Sequence, residues 1–150
     1  MGMDAYADIY FGFPLNSLPW QAYDSDEDGD DEYDEDEEVE NRLYRKLGLA
    51  EPTVAYEDDP EAHRAHWKVQ RAAEEAQTCE VASDHSDYGD PMYHVHVKRA
   101  NVHTSWDSDQ RFEPMNFGDE AAMTEDLRAF CELMDIPFEE PGWYLTARYS

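Results

Sequence analysis

The residues best equipped for chemistry in this chain are carboxylates. Residues 24–40 read Asp-Ser-Asp-Glu-Asp-Gly-Asp-Asp-Glu-Tyr-Asp-Glu-Asp-Glu-Glu-Val-Glu, interrupted only by Ser25, Gly29, Tyr33 and Val39. Repulsion among so many like charges is offset by a bound cation, by a basic partner, or by open water. Each choice is a different function. Within the run, Asp24, Asp26 and Asp28 alternate, Gly29 follows, and Glu32 and Glu35 close the pattern. Alternate Asp oxygens suit a hard cation such as calcium, a glycine permits a sharp turn, and a last Glu can give two oxygens.

Other reactive side chains are fewer. His94 and His96 flank one valine, so a strand would put both imidazoles on one face. His63 and His66 stand three apart, close enough to share a helix face. Zinc would need three or four such ligands to converge; an exposed strand face and a helix rim account for the same residues without a metal. Cys79 and Cys131 are too few for a disulfide framework and lack metal spacing, so both are expected as packed thiols in a reducing compartment. There is no Gly-rich phosphate loop, nucleophile elbow or kinase signature. The expectation is a protein that is not an enzyme, with no catalytic residue and no cofactor.

Charge sets the partners. The chain has 150 residues, 37 acidic and 11 basic, for a net charge of -26. The run holds 13 acids and no base, so subtracting its -13 from -26 leaves -13 on the rest. The acidity is therefore global, with one dense focus. It disfavours direct contact with nucleic acid or an anionic membrane, and favours cations and basic protein surfaces, including those that hold DNA or RNA. At 41% hydrophobic and 13% aromatic residues, the chain is too apolar to be wholly disordered. The length suits one domain spanning residues 1–150, with residues 24–38 as an acidic low-complexity loop inside it. The start of the chain has no basic, apolar leader, and no stretch approaches the roughly 18 apolar residues of a membrane span, so a cytoplasmic protein is expected.

The elements that must position these groups follow from periodicity. Residues 6–13 alternate aromatic and small or acidic residues and predict a strand ended by Pro14 and Asn16. Leu18, Trp20 and Tyr23 then tether the chain before the run. Residues 37–47 predict a helix with Val39, Leu43 and Leu47 on one face, basic residues at its end, and Gly48 as cap. Asp59-Pro60-Glu61 is a helix start; the helix extends to about Gln77. Ala62, Ala65, Val69, Ala72 and Ala76 form a stripe expected to pack on a sheet or another helix. Arg64, Lys68 and Arg71 form a basic stripe, and Trp67 is the candidate surface anchor. Residues 79–82 and 92–98 predict strands joined by turn-rich residues 83–91. Thr124 is expected to cap a helix whose core face is Leu127, Phe130, Cys131 and Met134, stopped by Pro137. Residues 142–149 close the chain as a strand. The fold class is α+β: a small, mainly antiparallel sheet of about four strands covered by about three helices, with the acidic loop inserted after the first strand.

Two resemblances add to this. Asp24, Asp26, Asp28, Gly29, Glu32 and Glu35 occupy positions 1, 3, 5, 6, 9 and 12 of a twelve-residue segment that resembles the EF-hand calcium loop, with Asp31 where an aliphatic residue is usual. That resemblance implies a calcium ion held by Asp24, Asp26, Asp28, Glu32 and Glu35. The aromatic first strand, the short acidic insert and the ending Pro141-Gly142-Trp143-Tyr144 resemble small acidic phage-encoded DNA-mimic and anti-defence proteins. Duplex DNA carries one charge per roughly 1.7 Å of axis, and a carboxylate-studded surface imitates that density. This resemblance implies an inhibitor acting in the host cytoplasm. Its partner would be a basic nucleic-acid cleft, met by Asp24, Asp26, Glu27, Asp28, Asp30, Asp31, Glu32, Asp34, Glu35, Asp36, Glu37, Glu38 and Glu40. Glu57, Asp58, Asp59, Glu74, Glu75, Asp84, Asp87, Asp107, Asp109, Asp119, Glu120, Glu125 and Asp126 would extend that surface. A third expectation is that the run docks on Arg64, Lys68 and Arg71.

Overall fold

In the computed structural model, which describes residues 5–20, 38–49, 55–84, 92–105 and 119–149, the aromatic start of the chain is strand β1 (Ala5–Leu15). Helices α1 (Val39–Lys46) and α2 (Pro60–Glu75) follow, then strands β2 (Cys79–Asp84) and β3 (Met92–Ser105), helix α3 (Glu120–Met134) and strand β4 (Gly142–Tyr149). The strands form an antiparallel sheet in the order β2-β3-β1-β4. The α+β class read from the sequence is the observed one. Residues 1–19 with 78–150 make one compact unit and residues 20–77 a second.

The sheet unit takes its core from alternation. Phe13 of β1, Val95 and Val97 of β3 and Cys79 of β2 are all buried. Helix α3 lies against β1, β2 and β3 and buries Met123, Leu127, Phe130, Cys131 and Met134. Burying these side chains supplies roughly 10 kcal/mol before the entropy of ordering is subtracted. Two polar clamps fix the helix: Arg99 Nη1 on Asp126 Oδ2 at 3.0 Å, and the Trp143 indole donating to Glu120 Oε1 at 3.0 Å. The helix begins earlier than its Thr124 suggests. Asp119 caps it, its Oδ1 accepting from the Ala121 amide, and the Thr124 hydroxyl donates inside the helix to the Glu120 carbonyl. It ends with Asp135 in the left-handed conformation (φ 57°), before Pro137.

Two features of β1 and β3 differ from simple alternation. Pro14 lies within β1, paired with His94. The β4 pairing has ended at Gly12, so β1 is there an edge strand, where a missing N–H is tolerated. On the other side, Tyr10 pairs with Asn101 but Gly12 pairs with His96, so two residue steps of β1 face five of β3. The surplus is a bulge over residues 97–100, which carries β3 well past Lys98. Gly12 makes room for it: a Cβ there would fall 1.8 Å from the Val95 carbonyl oxygen.

In the second unit, α1 buries Leu43 and is closed by Gly48 at φ 72°. The Asp59 carboxylate caps α2 by accepting from the Ala62 amide at 3.0 Å. Tyr44 joins the helices through a hydrogen bond to Glu74 Oε2 of 2.9 Å. The alanine stripe does not pack as expected. Ala62, Ala65, Val69, Ala72 and Ala76 are all exposed, and α2 has no fully buried residue. Its half-buried face is His63, His66, Gln70, Ala73, Glu74 and Gln77. Small side chains carry little apolar area, so the Tyr44–Glu74 bond and the longer residues decide how the helix is turned.

Candidate functional site

Two groupings of polar side chains have the chemistry to act on another molecule. The first is the acidic exterior. Residues 119–140 contain eight carboxylates and one base, Arg128. The apolar side of α3 faces the sheet, which leaves Glu120, Glu125 and Glu132 on its outside, followed by exposed Asp135, Glu139 and Glu140. Asp126 is half-buried against Arg99, and Arg128 lies over the Phe138 ring at 4.3 Å. On the second unit Glu57, Asp58, Asp59, Glu61 and Glu75 are exposed, as are Glu38 and Glu40 around the start of α1. Ordered backbone thus fixes where these carboxylates stand.

The second grouping lies on the sheet face opposite to Val95 and Val97. The bulge changes the parity of β3, so His94 and His96 share a face with Asn101 and His103. His94 and His96 are buried, as are Tyr10 and Asp8 of β1. They are not the exposed strand residues that alternation allowed. His96 Nε2 stands 2.9 Å from Glu80 Oε1 of β2 and 3.4 Å from Asn101 Nδ2. The His94 ring stacks on Tyr10 at 4.1 Å, and Tyr10 stacks on Tyr144 of β4 at 5.4 Å. His103 Nδ1 meets Asp8 Oδ1 at 2.6 Å.

The electrostatics of this face are legible. The hydrogen bond from His96 holds the Glu80 carboxyl below its ordinary range, against the opposing effect of burial. With Nε2 donating to Glu80, the other ring nitrogen of His96 is buried without a hydrogen-bond partner. The thiols are different: burial pushes Cys79 up to about 11 and Cys131 up to about 12, so both stay protonated and packed.

Several sequence-derived candidates fall elsewhere. The calcium-loop residues Asp24, Asp26, Asp28, Glu32 and Glu35, the remaining carboxylates of the run up to Glu37, and Asp87, Asp107 and Asp109 lie outside the described residues. The expected docking of the run on α2 lies outside them for the same reason. Arg64, Lys68 and Arg71 are exposed on α2, with Arg71 paired to Glu75 at 3.4 Å and set over the Trp67 ring at 5.1 Å. Trp67 is 55% exposed. His63 and His66 belong to the second unit, His94 and His96 to the first. Among the described residues no group of three or more His, Cys, Asp or Glu is arranged to hold a metal ion, and no helix is long and apolar enough to cross a membrane.

Sequence reading missed Asp8, Glu80, Asn101 and His103. Asp8 offered one signal, a lone carboxylate among the aromatics of β1. The other three become neighbours of His96 and Asp8 only through strand pairing and the bulge. No protein-family model, no curated protein and no solved structure matches this chain.

Proposed function

We propose that this chain is a non-enzymatic acidic binding protein, a phage-type inhibitor that mimics DNA and blocks the basic nucleic-acid cleft of a host defence or DNA-handling protein. The observation that carries the reading is the exterior of α3 and the residues after it, where eight carboxylates and a single base occupy residues 119–140. The backbone there is helical or packed on the sheet through Phe138, so the spacing of the residues that carry the carboxylates is set before a partner arrives. A preordered array loses less entropy on binding than a flexible acidic tail does. The partner gains neutralisation of its Lys and Arg residues, as it would from phosphates, and the net charge steers encounter. The acidic run would add its 13 carboxylates to the net charge that steers encounter.

The test is displacement of a labelled duplex from a non-specific bacterial DNA-binding protein, followed by anisotropy across a salt series. Displacement should weaken steeply with salt, and unlabelled duplex should compete. Charge reversal at Glu125, Glu132 and Glu139 together should weaken it further. Binding that ignores both salt and competing duplex refutes the reading.

A further inference from the structure

Among the described residues the sheet has an open side. The strand order leaves β4 at the edge among the described residues, paired with β1 from Gly142↔Gly12 to Tyr149↔Ala5. Its outer side therefore presents a row of backbone N–H and C=O groups. Proteins protect such rows with inward charges, prolines, bulges or short strands. Strand β4 runs for eight residues, Gly-Trp-Tyr-Leu-Thr-Ala-Arg-Tyr, with no proline and no carboxylate. Leu145 is 71% exposed and Tyr144 38%. The opposite edge strand, β2, is shorter at six residues and carries Glu80 and Asp84.

The surroundings say what fits. Glu139 and Glu140 are exposed just before the strand, and Glu120 is held beside it by the Trp143 indole. A partly apolar edge, whose one charged residue is Arg148 at the far end, thus has carboxylates at its Gly142 end. We propose that the outer edge of β4, from Tyr144 to Ala147, takes an extended basic segment of a partner protein as an added strand. Its backbone extends the ladder, its apolar side chains lie beside Leu145, and its Lys or Arg residues meet Glu139, Glu140 and Glu120. A second copy of this chain is the poorer occupant, because each copy carries -26 and the two repel. The proposal rests on the basic-partner reading above and adds to it a backbone-specific contact.

The test uses the full chain and two peptides of alternating Lys and Val, matched in length to β4. One is unmodified. The other is methylated at every backbone nitrogen, which keeps its charges but removes its ladder donors. Tryptophan fluorescence reads binding at low salt, and amide exchange reads the site. The unmodified peptide should bind and protect alternate amides of β4, with the methylated peptide weaker by at least about tenfold, since several main-chain hydrogen bonds are lost. Equal binding of both peptides with β4 unprotected overturns strand addition and leaves the basic-partner reading standing. Binding of neither overturns both.

Discussion

Gly12→Ala should break the sheet where β1 and the bulge of β3 press together. A Cβ at Gly12 would sit 1.8 Å from the Val95 carbonyl oxygen, 2.8 Å from its carbon and 2.9 Å from the His96 Cα. All three are backbone atoms, so no side chain can swing aside. Reaching even 3.0 Å from the oxygen requires a separation of about 1.2 Å between the strands, which stretches a ladder bond of ~2.9 Å beyond hydrogen-bonding range. Two buried ladder bonds are then unmade at about 1–3 kcal/mol each, for a total of about 2–6 kcal/mol. At roughly 2–4 °C per kcal/mol for a chain of this size, the melting temperature falls by about 4–24 °C. Thermal and urea unfolding, followed by circular dichroism and tryptophan fluorescence, measure this directly. Gly142→Ala is the matched control. Gly142 pairs with Gly12 across β1 and β4, but its added Cβ meets only a Tyr144 ring carbon at an ordinary 3.7 Å, so its effect should stay within about 0.5 kcal/mol. If Gly12→Ala melts within two or three degrees of Gly142→Ala, the bulge and its register are wrong.

Glu80→Gln removes a charge but keeps an acceptor for His96. Because Glu80 is half exposed, the cost at pH 7 is discounted to about 0.5–1 kcal/mol. The folded carboxyl titrates below its ordinary 4.5, so its contribution is complete above that value and is lost as pH falls through the lowered one. The urea midpoints of the two proteins should therefore converge as pH falls below the ordinary carboxylate range, and a gap that never narrows on acidification contradicts the pairing. Asp59→Ala deletes the cap that accepts from the Ala62 amide and should destabilise α2 by about 1 kcal/mol. Faster amide exchange across Pro60–Glu75 reports the loss, and unchanged exchange refutes it. A calcium loop at Asp24, Asp26, Asp28, Glu32 and Glu35 requires heat on calcium titration that Glu35→Gln abolishes. A flat calorimetric trace at millimolar calcium eliminates that loop, since even weak sites of this class bind at about 10⁻⁴–10⁻³ M.

The elements were legible where one periodicity ran unbroken. Alternation found β1, β2 and the first half of β3, and the spacing of Leu127, Phe130, Cys131 and Met134 found the buried face of α3. Reading stopped at Lys98 because Lys98-Arg99-Ala100-Asn101 interrupts the alternation, and that interruption is the bulge. The same bulge hid the polar face. In strict alternation, even-numbered His94 and His96 and odd-numbered Asn101 and His103 point to opposite sides. Only pairing with β1 shows that the parity changes between them. Helix α2 misled for another reason. Its apolar residues are alanines and one valine, whose burial is worth too little to set the rotation of a helix that a Tyr44–Glu74 bond already orients. At α3, two residue types compete for the cap. Asp119 takes it because its carboxylate reaches the Ala121 amide, while Thr124 spends its hydroxyl on a carbonyl one turn back.

Charge and edge do different jobs in the reading advanced above, and the distinction resolves a difficulty of strongly acidic proteins. A net charge of -26 attracts every basic surface and therefore selects none. Electrostatic attraction sets how fast encounters occur and how strongly salt weakens them; choice among partners needs a contact that some surfaces cannot make. The carboxylates outside α3 have no such selectivity, because any Lys or Arg satisfies them. Strand addition at β4, as proposed, would supply it, because a strand edge fits only a segment free to extend, with donors and acceptors at strand spacing. Glu120 stands at the junction of the two, bound to the Trp143 indole at the start of β4 while it belongs to the first turn of α3. Cutting that hydrogen bond with Glu120→Ala removes one charge in 37 acids and also the acceptor of the indole, which loosens the link between array and edge. An effect on affinity larger than that of neutralising remote Glu132 would come from this position in the fold and not from its charge.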